Sequence, residues 1–351
     1  VLGCDGFIGH HLARSLLAIP DLEVVGWDRC RTRIGGFESH PRFTFRFADI
    51  ASGRSQLGED VARSQAVVNL AALCNPSLYG SHTLDVIRSN FTDVEPVVRL
   101  CAESGTKLVH LSSCEVFGRT LRSWVPRDRV ALPEESDILD EDLTPFLLGP
   151  LSSTRWSYAC AKQLAERLIE GWGRERGLAW TIVRPFNFIG PGMDYLPGRD
   201  GEGVPRVLAC FMKALIDREP LQLVDGGTAR RTFLHISEAV EALVRILERP
   251  ESTSRRVIHL GNAANETDIR GLAMSMRSIW ARLRKDASIL ELPLLSVPSE
   301  EFYGPGYDDS DRRIPGMKNA HAILGWTPIL SLEETLNLTL GDYHLRYPEF
   351  E

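Results

Sequence analysis

"VLGCDGFIGHHLARSLLAI", residues 1–19, decides how the rest of the chain is read. Val1, Leu2 and Gly3 form an apolar strand fragment; Gly3, Gly6 and Gly9 follow at even spacing with Phe7 and Ile8 among them, and HHLARSLLAI has the apolar recurrence of a helix. A strand that turns through glycines into a helix lets backbone amides approach a pyrophosphate, and the helix N-terminus adds partial positive charge. Alone, the spacing would equally suit ordinary turn glycines. Val1 and Leu2 are too few for a full strand, so further natural sequence is expected to precede them.

Outward from that segment, short apolar runs alternate with helical stretches: LEVVGWD (22–28), FTFRFADI (43–50), AVVNLAA (66–72), KLVHLSS (107–113) and WTIVRP (180–185). This rhythm predicts an α/β fold: a Rossmann-type doubly wound parallel sheet with helices on both faces and ligands at the carboxyl ends of the strands. At 351 residues the chain exceeds what one core usually serves. Residues 1–185 are expected to form the dinucleotide-binding domain, with the proline-rich, charged stretch 119–154 as a lid-like insert. Residues 186–351, with a helix near 204–217, are expected to form mainly a smaller C-terminal substrate-binding lobe, some segments returning to the sheet.

Asp28 ends the second strand, 19 residues after Gly9, where a carboxylate accepts from a ribose diol and repels a 2′-phosphate. NAD is therefore the expected cofactor, a preference that Arg29 and Arg31 weaken. Asp49 and Ile50 end the third strand and Leu70, Ala71 and Ala72 the fourth, where an adenine edge and a nicotinamide ribose belong. Asn90 completes the candidate cofactor set. Each of these residues alone would pass as a turn or packing residue; together they make dinucleotide binding the expectation.

Composition excludes other classes. The net charge of −7 argues against nucleic acid as a partner, because phosphate neutralisation needs a surplus of Lys and Arg. No run of about twenty apolar residues suggests a membrane span, and the N-terminus lacks a signal-peptide layout, which favours a cytoplasmic address. Seven cysteines without paired spacing fit reduced thiols better than a disulfide framework or a zinc site.

Tyr158-Ala-Cys-Ala-Lys162 opens a helical run in which Leu164, Leu168 and Trp172 recur at helical spacing, so Tyr158 and Lys162 share a face. A phenol must be lowered from about 10 to about 7, roughly 4 kcal/mol, to act as a base at neutrality. A neighbouring ammonium and a cationic nicotinamide are expected to supply this. A Tyr and a Lys four apart also occur by chance.

Gly3-x-x-Gly6-x-x-Gly9, Ser112-Ser113 and Tyr158-x-x-x-Lys162 together resemble the extended short-chain dehydrogenases/reductases that act on nucleotide sugars. RWSYACAKQLAERLIE (155–170), RPFNFIGPGMDYLPG (184–198), EGVPRVLACF (202–211) and YGPGYDDSDRRIP (303–315) resemble their UDP-glucuronic acid decarboxylase branch, especially its apiose-forming members. The resemblance implies UDP-glucuronic acid as substrate and NAD as hydride acceptor, with Tyr158 taking the C4 hydroxyl proton and Tyr158 and Lys162 also touching the cofactor. The 4-ketone lies β to the carboxylate, so carbon dioxide can leave. Protonation and reduction then give UDP-xylose; C2–C3 cleavage by a retro-aldol step and C4–C2 closure lead instead to UDP-apiose.

That longer route needs proton donors and acceptors beyond one tyrosine. The resemblance implies catalytic roles for Ser113, Cys114 and Glu115 in LSSCEVFG (111–118), and for Cys74 and Tyr79 in LAALCNPSLYG (70–80). Cysteine stands at 114 where xylose-forming and lipid-A-pathway relatives carry serine, and a thiol, titrating at about 8.5, is expected to move protons more readily than an alcohol. Cys30, Cys101, Cys160 and Cys210 are expected to be small buried hydrophobes, and Cys4 to pack within the glycine loop. Arg155 and Arg313 match contacts to the sugar carboxylate; Asn187, Arg206 and Arg231 match nucleotide and diphosphate contacts, with Tyr79, Glu115 and Tyr303 completing the substrate set. Arg312 and Arg230, adjacent to Arg313 and Arg231, leave those two alignments open by one residue.

Asp308, Asp309 and Asp311 look like a metal run but lack a calcium loop's ligand spacing, so no metal is expected. A homodimer formed through the helical stretches 84–104 and 156–174 is also implied by the resemblance. Three other functions remain open: a decarboxylase giving only UDP-xylose or a 4-keto pentose, a non-catalytic NAD- or nucleotide-sugar-binding regulator on the same fold, and a 4-epimerase, in which Cys114 and Glu115 would have no obvious task.

Overall fold

The computed structural model describes residues 1–124, 133–201, 204–304 and 307–348; residues 125–132 of the insert, 202–203 and 305–306 of the segments quoted above lie outside the described residues. The first half runs α1 (Phe7–Leu17), β1 (Val24–Asp28), β2 (Phe43–Phe47), α2 (Arg54–Ala62), β3 (Ala66–Asn69), α3 (Thr83–Ile87), α4 (Val94–Ser104) and β4 (Lys107–Leu111). After the short α5 (Leu121–Trp124) and β5 (Ile138–Leu139) come α6 (Trp156–Arg176) and β6 (Trp180–Pro185). The second half adds β7 (Phe188–Ile189), α7 (Val207–Asp217), β8 (Leu221–Val224), β9 (Arg230–Thr232), β10 (Leu234–His235), α8 (Ile236–Glu248) and β11 (Arg256–Leu260). It closes with β12 (Glu266–Asp268), α9 (Ile269–Arg284), β13 (Leu294–Val297), α10 (Ser299–Tyr303), β14 (Ile314–Pro315), α11 (Lys318–Leu324) and α12 (Leu332–Arg346).

All main-sheet pairings are parallel, and the spatial order is β2, β1, Leu2, β3, β4, β6, β11. Val1 and Leu2 lie between β1 and β3: the Val1 carbonyl accepts from Trp27 N at 2.9 Å, the Leu2 N–H donates to the Val68 carbonyl at 2.9 Å and its carbonyl accepts from Leu70 N at 2.9 Å, while Gly3 N reaches Trp27 O at 2.8 Å. The strand order reverses here, so the glycine loop that follows opens into the crevice where doubly wound sheets bind ligands. β4 is buried at every residue, as expected of a parallel strand covered on both faces.

α1, α8 and α11 cover one face of the sheet through Leu12, Leu16, Val240, Leu243 and Leu324. α2, α4 and α6 cover the other through Leu57, Val97, Val98, Ala165 and Ile169. A separate core of Phe211, Met276, Trp280, Leu336 and Tyr343 joins α7, α9 and α12 in the C-terminal lobe. β11 crosses back from that half to lie beside β6. The insert is fastened at its described ends, by Arg119 N to Leu147 O at 2.7 Å and by pairing of β5 with β14.

Candidate active site

The cofactor end is built by close approach of backbone. A Cβ on Gly9 would lie 2.0 Å from the Gly3 carbonyl oxygen, and Gly3 has φ +83° with Ala71 N 3.0 Å from where a Cβ would stand. Gly6 caps α1 without a side-chain acceptor, so no side chain of its own competes for the first-turn N–H groups. Asp28 accepts from the N–H of Asp5 at 2.8 Å and of Cys30 at 3.0 Å, which fixes its carboxylate at the strand end. Arg29 pairs with Asp49 at 3.4 Å and Arg31 with Glu38 at 2.6 Å, so the two arginines that weakened the NAD preference each have a carboxylate partner.

Asp49 also accepts from Ala51 N at 2.8 Å, and Ile50 packs on the sheet. Leu70 and Ala71 leave β3 between the two halves, Ala71 N donating to Asn69 at 3.2 Å, and Ala72 follows half-buried. Asn90, fully buried in a π-helical turn (Arg88–Thr92), donates to the carbonyls of Leu73 and Val86 at 2.9 and 2.8 Å and so braces the segment that carries these residues. This glycine cradle and the fixed carboxylate suit a dinucleotide diphosphate and a ribose diol.

Sequence reasoning missed Asp5. Its buried carboxylate accepts from Thr32 N, Thr32 Oγ1, Arg33 N and Ile34 N at 2.6–3.0 Å; burial works against the charge, but these donors hold the carboxyl below its ordinary value. The glycine loop is thereby tied to the segment after β1.

At the redox end, Ser113, Tyr158 and Lys162 meet at the ends of β4 and α6. Lys162 is buried and donates to the Leu111 carbonyl at 2.8 Å; burial lowers its ammonium to about 8. Ser113 is extended, accepts from Glu115 N at 3.1 Å and lies beside Tyr158, where it favours the phenolate. In the chain by itself, burial first, then the nearby Cys74 and Glu115, push the Tyr158 phenol well above its ordinary value, with the Ser113 side chain opposing them. Tyr79 lies face to face with Tyr158, ring centroids 5.0 Å apart at 9°, and is raised likewise, foremost by burial.

Cys114 departs from the expected value of about 8.5: burial pushes its thiol up to about 11 despite the nearby Arg313, so it holds its proton more tightly than an ordinary thiol. Cys74 is exposed and lies near Tyr79, Tyr158 and Lys162. Cys30 and Cys160 are exposed as well, against the expectation of buried packing, because they lie on a loop and on the outer side of α6; Cys101 and Cys4 are buried and Cys210 is partly so. All seven are free thiols.

Glu115 accepts from Arg155 Nη2 at 3.1 Å through Oε1, while its Oε2 is buried without a partner in the described structure. Arg155, at the start of α6, lines a cavity of about 480 Å³ with Tyr79, Thr154, Tyr303 and Tyr307. Tyr303 and Tyr307 stack at 4.1 Å. Arg231 and Arg313 converge with Arg155 on Asp309, which sequence reasoning had considered only as a metal ligand. A β-bridge joins Arg230 and Arg312: those two turn to Glu266, at 3.0 and 2.6 Å, and their neighbours Arg231 and Arg313 turn to Asp309.

Two predicted residues stand apart from this cluster. Arg206 forms a bidentate pair with Asp194, both contacts 2.8 Å. Asn187, at φ +38°, donates to the Thr232 carbonyl at 2.9 Å.

Fold, glycine cradle and Tyr-Lys pair define a nucleotide-cofactor oxidoreductase of the extended short-chain type, and the profile of the NAD-dependent epimerase/dehydratase family matches residues 1–261. The chain belongs to that family. It is 44% identical to UDP-D-apiose/UDP-D-xylose synthase 1 of Arabidopsis thaliana, covering 99% of this chain and 92% of that protein. It is 44% identical to the Oryza sativa subsp. japonica UDP-D-apiose/UDP-D-xylose synthase, covering 99% and 89%. The crystal structure of the PbgP3 protein from Burkholderia pseudomallei superposes with a TM-score of 0.82 at 31% identity, covering 97% of this chain and 94% of that one. A Bacillus cereus UDP-glucuronic acid 4-epimerase with NAD shares the fold at TM-score 0.76 and 20% identity, covering 99% and 98%.

Proposed function

We propose that this chain converts UDP-glucuronic acid, with NAD, into UDP-apiose and UDP-xylose. The observation that carries the reading is the pairing, at the end of β4, of a proton-bearing Cys114 with a Glu115 whose Oε2 has no partner, beside Arg155 and Arg313. The identity to apiose/xylose synthases over almost the whole chain supports it.

In this reading the glycine cradle and Asp28 would hold NAD, which when bound would supply hydride acceptance at the sugar C4, return of that hydride, and positive charge near Tyr158. Tyr158, as its phenolate, would take the C4 hydroxyl proton, with Ser113 beside it to orient the sugar hydroxyl. Arg155 and Arg313 hold the C6 carboxylate until it departs as carbon dioxide. Cys114 donates, and Glu115 Oε2 accepts, the protons that C2–C3 cleavage and ring closure require. Cys74 and Tyr79 border the same space. Arg206, Asn187, Arg231 and Tyr303 are assigned to the nucleotide and diphosphate.

We also place the protein in the cytoplasm, a reading supported by its seven free thiols, and propose a homodimer through α3, α4 and α6. No helix among the described residues is long and apolar enough to cross a membrane.

Proton NMR of the protein with UDP-glucuronic acid and NAD⁺ tests the function. A branched pentose or its breakdown product is the expected result. Only UDP-xylose or a 4-keto pentose would restrict the reading to decarboxylation, and no turnover would overturn it.

A further inference from the structure

Three guanidinium groups from separate parts of the chain meet one carboxylate beside the cavity. Arg231 Nη2 donates to Asp309 Oδ2 at 2.8 Å, Arg313 Nη2 donates to Oδ1 at 2.9 Å, and Arg155 Nη2 lies 3.5 Å from Oδ1. Tyr307 OH at 3.0 Å and the Ser310 N–H at 2.8 Å complete the shell. Burial works against the Asp309 charge, but the arginines hold its carboxyl well below the ordinary range. Arg155 is shared with Glu115, so three positive and two negative groups leave one positive charge in excess. The Nε atoms of Arg155 and Arg313 remain buried and unpartnered, as does Glu115 Oε2.

We propose that Asp309 is a positioning residue that sets the charge of this arginine cluster, so that the cluster grips a sugar carboxylate without gripping it too well. The inference rests on the reading of the site as a UDP-glucuronic acid decarboxylase. As the carboxylate leaves, its charge passes into the enolate that spreads toward the C4 oxygen. A donor that binds the carboxylate more strongly than that migrating charge lowers the ground state more than the transition state and slows the step. In a poorly solvated pocket, three unopposed guanidiniums would do this. Asp309 occupies one Nη of Arg231 and one of Arg313 and faces Arg155 Nη2, which donates to Glu115, leaving the Nε edges of Arg155 and Arg313 as unpartnered donors. Asp309 also joins Arg231, assigned to the diphosphate, to the two arginines assigned to the carboxylate, so both anionic ends of the substrate would act on one fixed counter-charge.

The test is Asp309→Asn, which keeps the shape and removes the charge. Binding of UDP-glucuronic acid and of UDP-glucose, which lacks the carboxylate, is measured by calorimetry with NADH in place of NAD⁺, so that no oxidation occurs. We expect the preference for the acid over UDP-glucose to rise by about tenfold, and kcat with NAD⁺ to fall by a similar factor while KM for UDP-glucuronic acid falls. A merely structural role would weaken both sugars alike and raise KM, which would overturn the proposal. The double variant Asp309→Asn/Arg231→Gln restores the charge balance and guards against misfolding: its sugar preference should return toward the starting value, and a preference that stays high or is lost contradicts the idea. Turnover by the unaltered protein tests the functional reading separately, since the binding ratio decides the role of Asp309 even without turnover.

Discussion

The ammonium of Lys162 makes no ion pair among the described residues; it is buried, donates to one carbonyl, and is lowered from 10.5 to about 8. Keeping it charged at neutrality therefore costs roughly 3 kcal/mol of fold stability. Lys162→Met should abolish turnover while raising the unfolding free energy at pH 7, by up to that amount less the lost hydrogen bond. The sign follows from linkage: between about 8 and 10.5 the unfolded chain holds the proton that the folded chain has released, so the unaltered protein gains stability as pH rises through this window. The variant's advantage should thus shrink from pH 7 to 10, as urea titrations at each pH would read; a constant or growing gap would mean that Lys162 is not strained by burial. Cys114 makes a chemical prediction at the same scale. As a protonated thiol held at about 11, it is an acid that serine, with its far weaker acidity, cannot replace. Cys114→Ser should lower the apiose-to-xylose ratio by at least about tenfold, with xylose formation largely kept; an unchanged ratio in the NMR assay would remove the thiol from the ring rearrangement.

On α6 the chemistry continues one turn beyond what the motif suggests. Tyr158, Lys162 and Glu166 follow at four-residue intervals, and all three are buried. Glu166 accepts from Arg184 on β6 at 3.0 and 2.8 Å and from Ser112 Oγ, so the catalytic helix is bolted to β4 and β6 through one carboxylate. Glu166→Gln should leave Arg184 under-compensated and cost roughly 3 kcal/mol in denaturant unfolding. A loss below about 1 kcal/mol would mean that the Phe117 and Phe146 faces and the Glu141 carbonyl already satisfy the guanidinium. The strands, the glycine turn and the Tyr-Lys face were legible in sequence because each is a local pattern with its own period. Glu166 was not, since its partner lies on another strand, and the same holds for Asp309, whose three arginines are brought together only by the fold. Nor could sequence choose between Arg230 and Arg231, or Arg312 and Arg313: in an extended segment adjacent side chains turn to opposite sides, and the phase is set by the bridge between the two segments. Burial is the other quantity missing from sequence, and it moved Tyr158 and Cys114 away from their expected titration.

At the scale of the molecule, α4 and α6 shield one face of the sheet with α3 packed beside α6, and α3 and α6 present apolar side chains outward. Leu84 is 78% exposed on α3, with Ile87 one turn on at 37%, and Leu164 is 49% exposed on α6, one turn from the exposed Cys160. The inward faces of α4 and α6 are spent on the sheet, through Val94, Val97, Ala165 and Ile169, and that of α3 on Tyr79 and Tyr158 through Val86, so the leucines face away from these contacts. A two-fold pairing of this face with itself would bury them, because an isologous contact sets each residue against the same patch of its partner. Leu164→Glu should then turn a dimer into a monomer in sedimentation experiments at micromolar concentration. Leu345→Glu, at a more exposed leucine on α12 in the other lobe, should leave the dimer intact. If both variants, or neither, change the sedimenting mass, the α3, α4 and α6 face is not the interface. If Leu164→Glu dissociates the pair, activity distinguishes two roles for it: Tyr158 and Lys162 lie on the same helix as Leu164, so a drop in kcat would mean that dimerisation also steadies the catalytic face of α6.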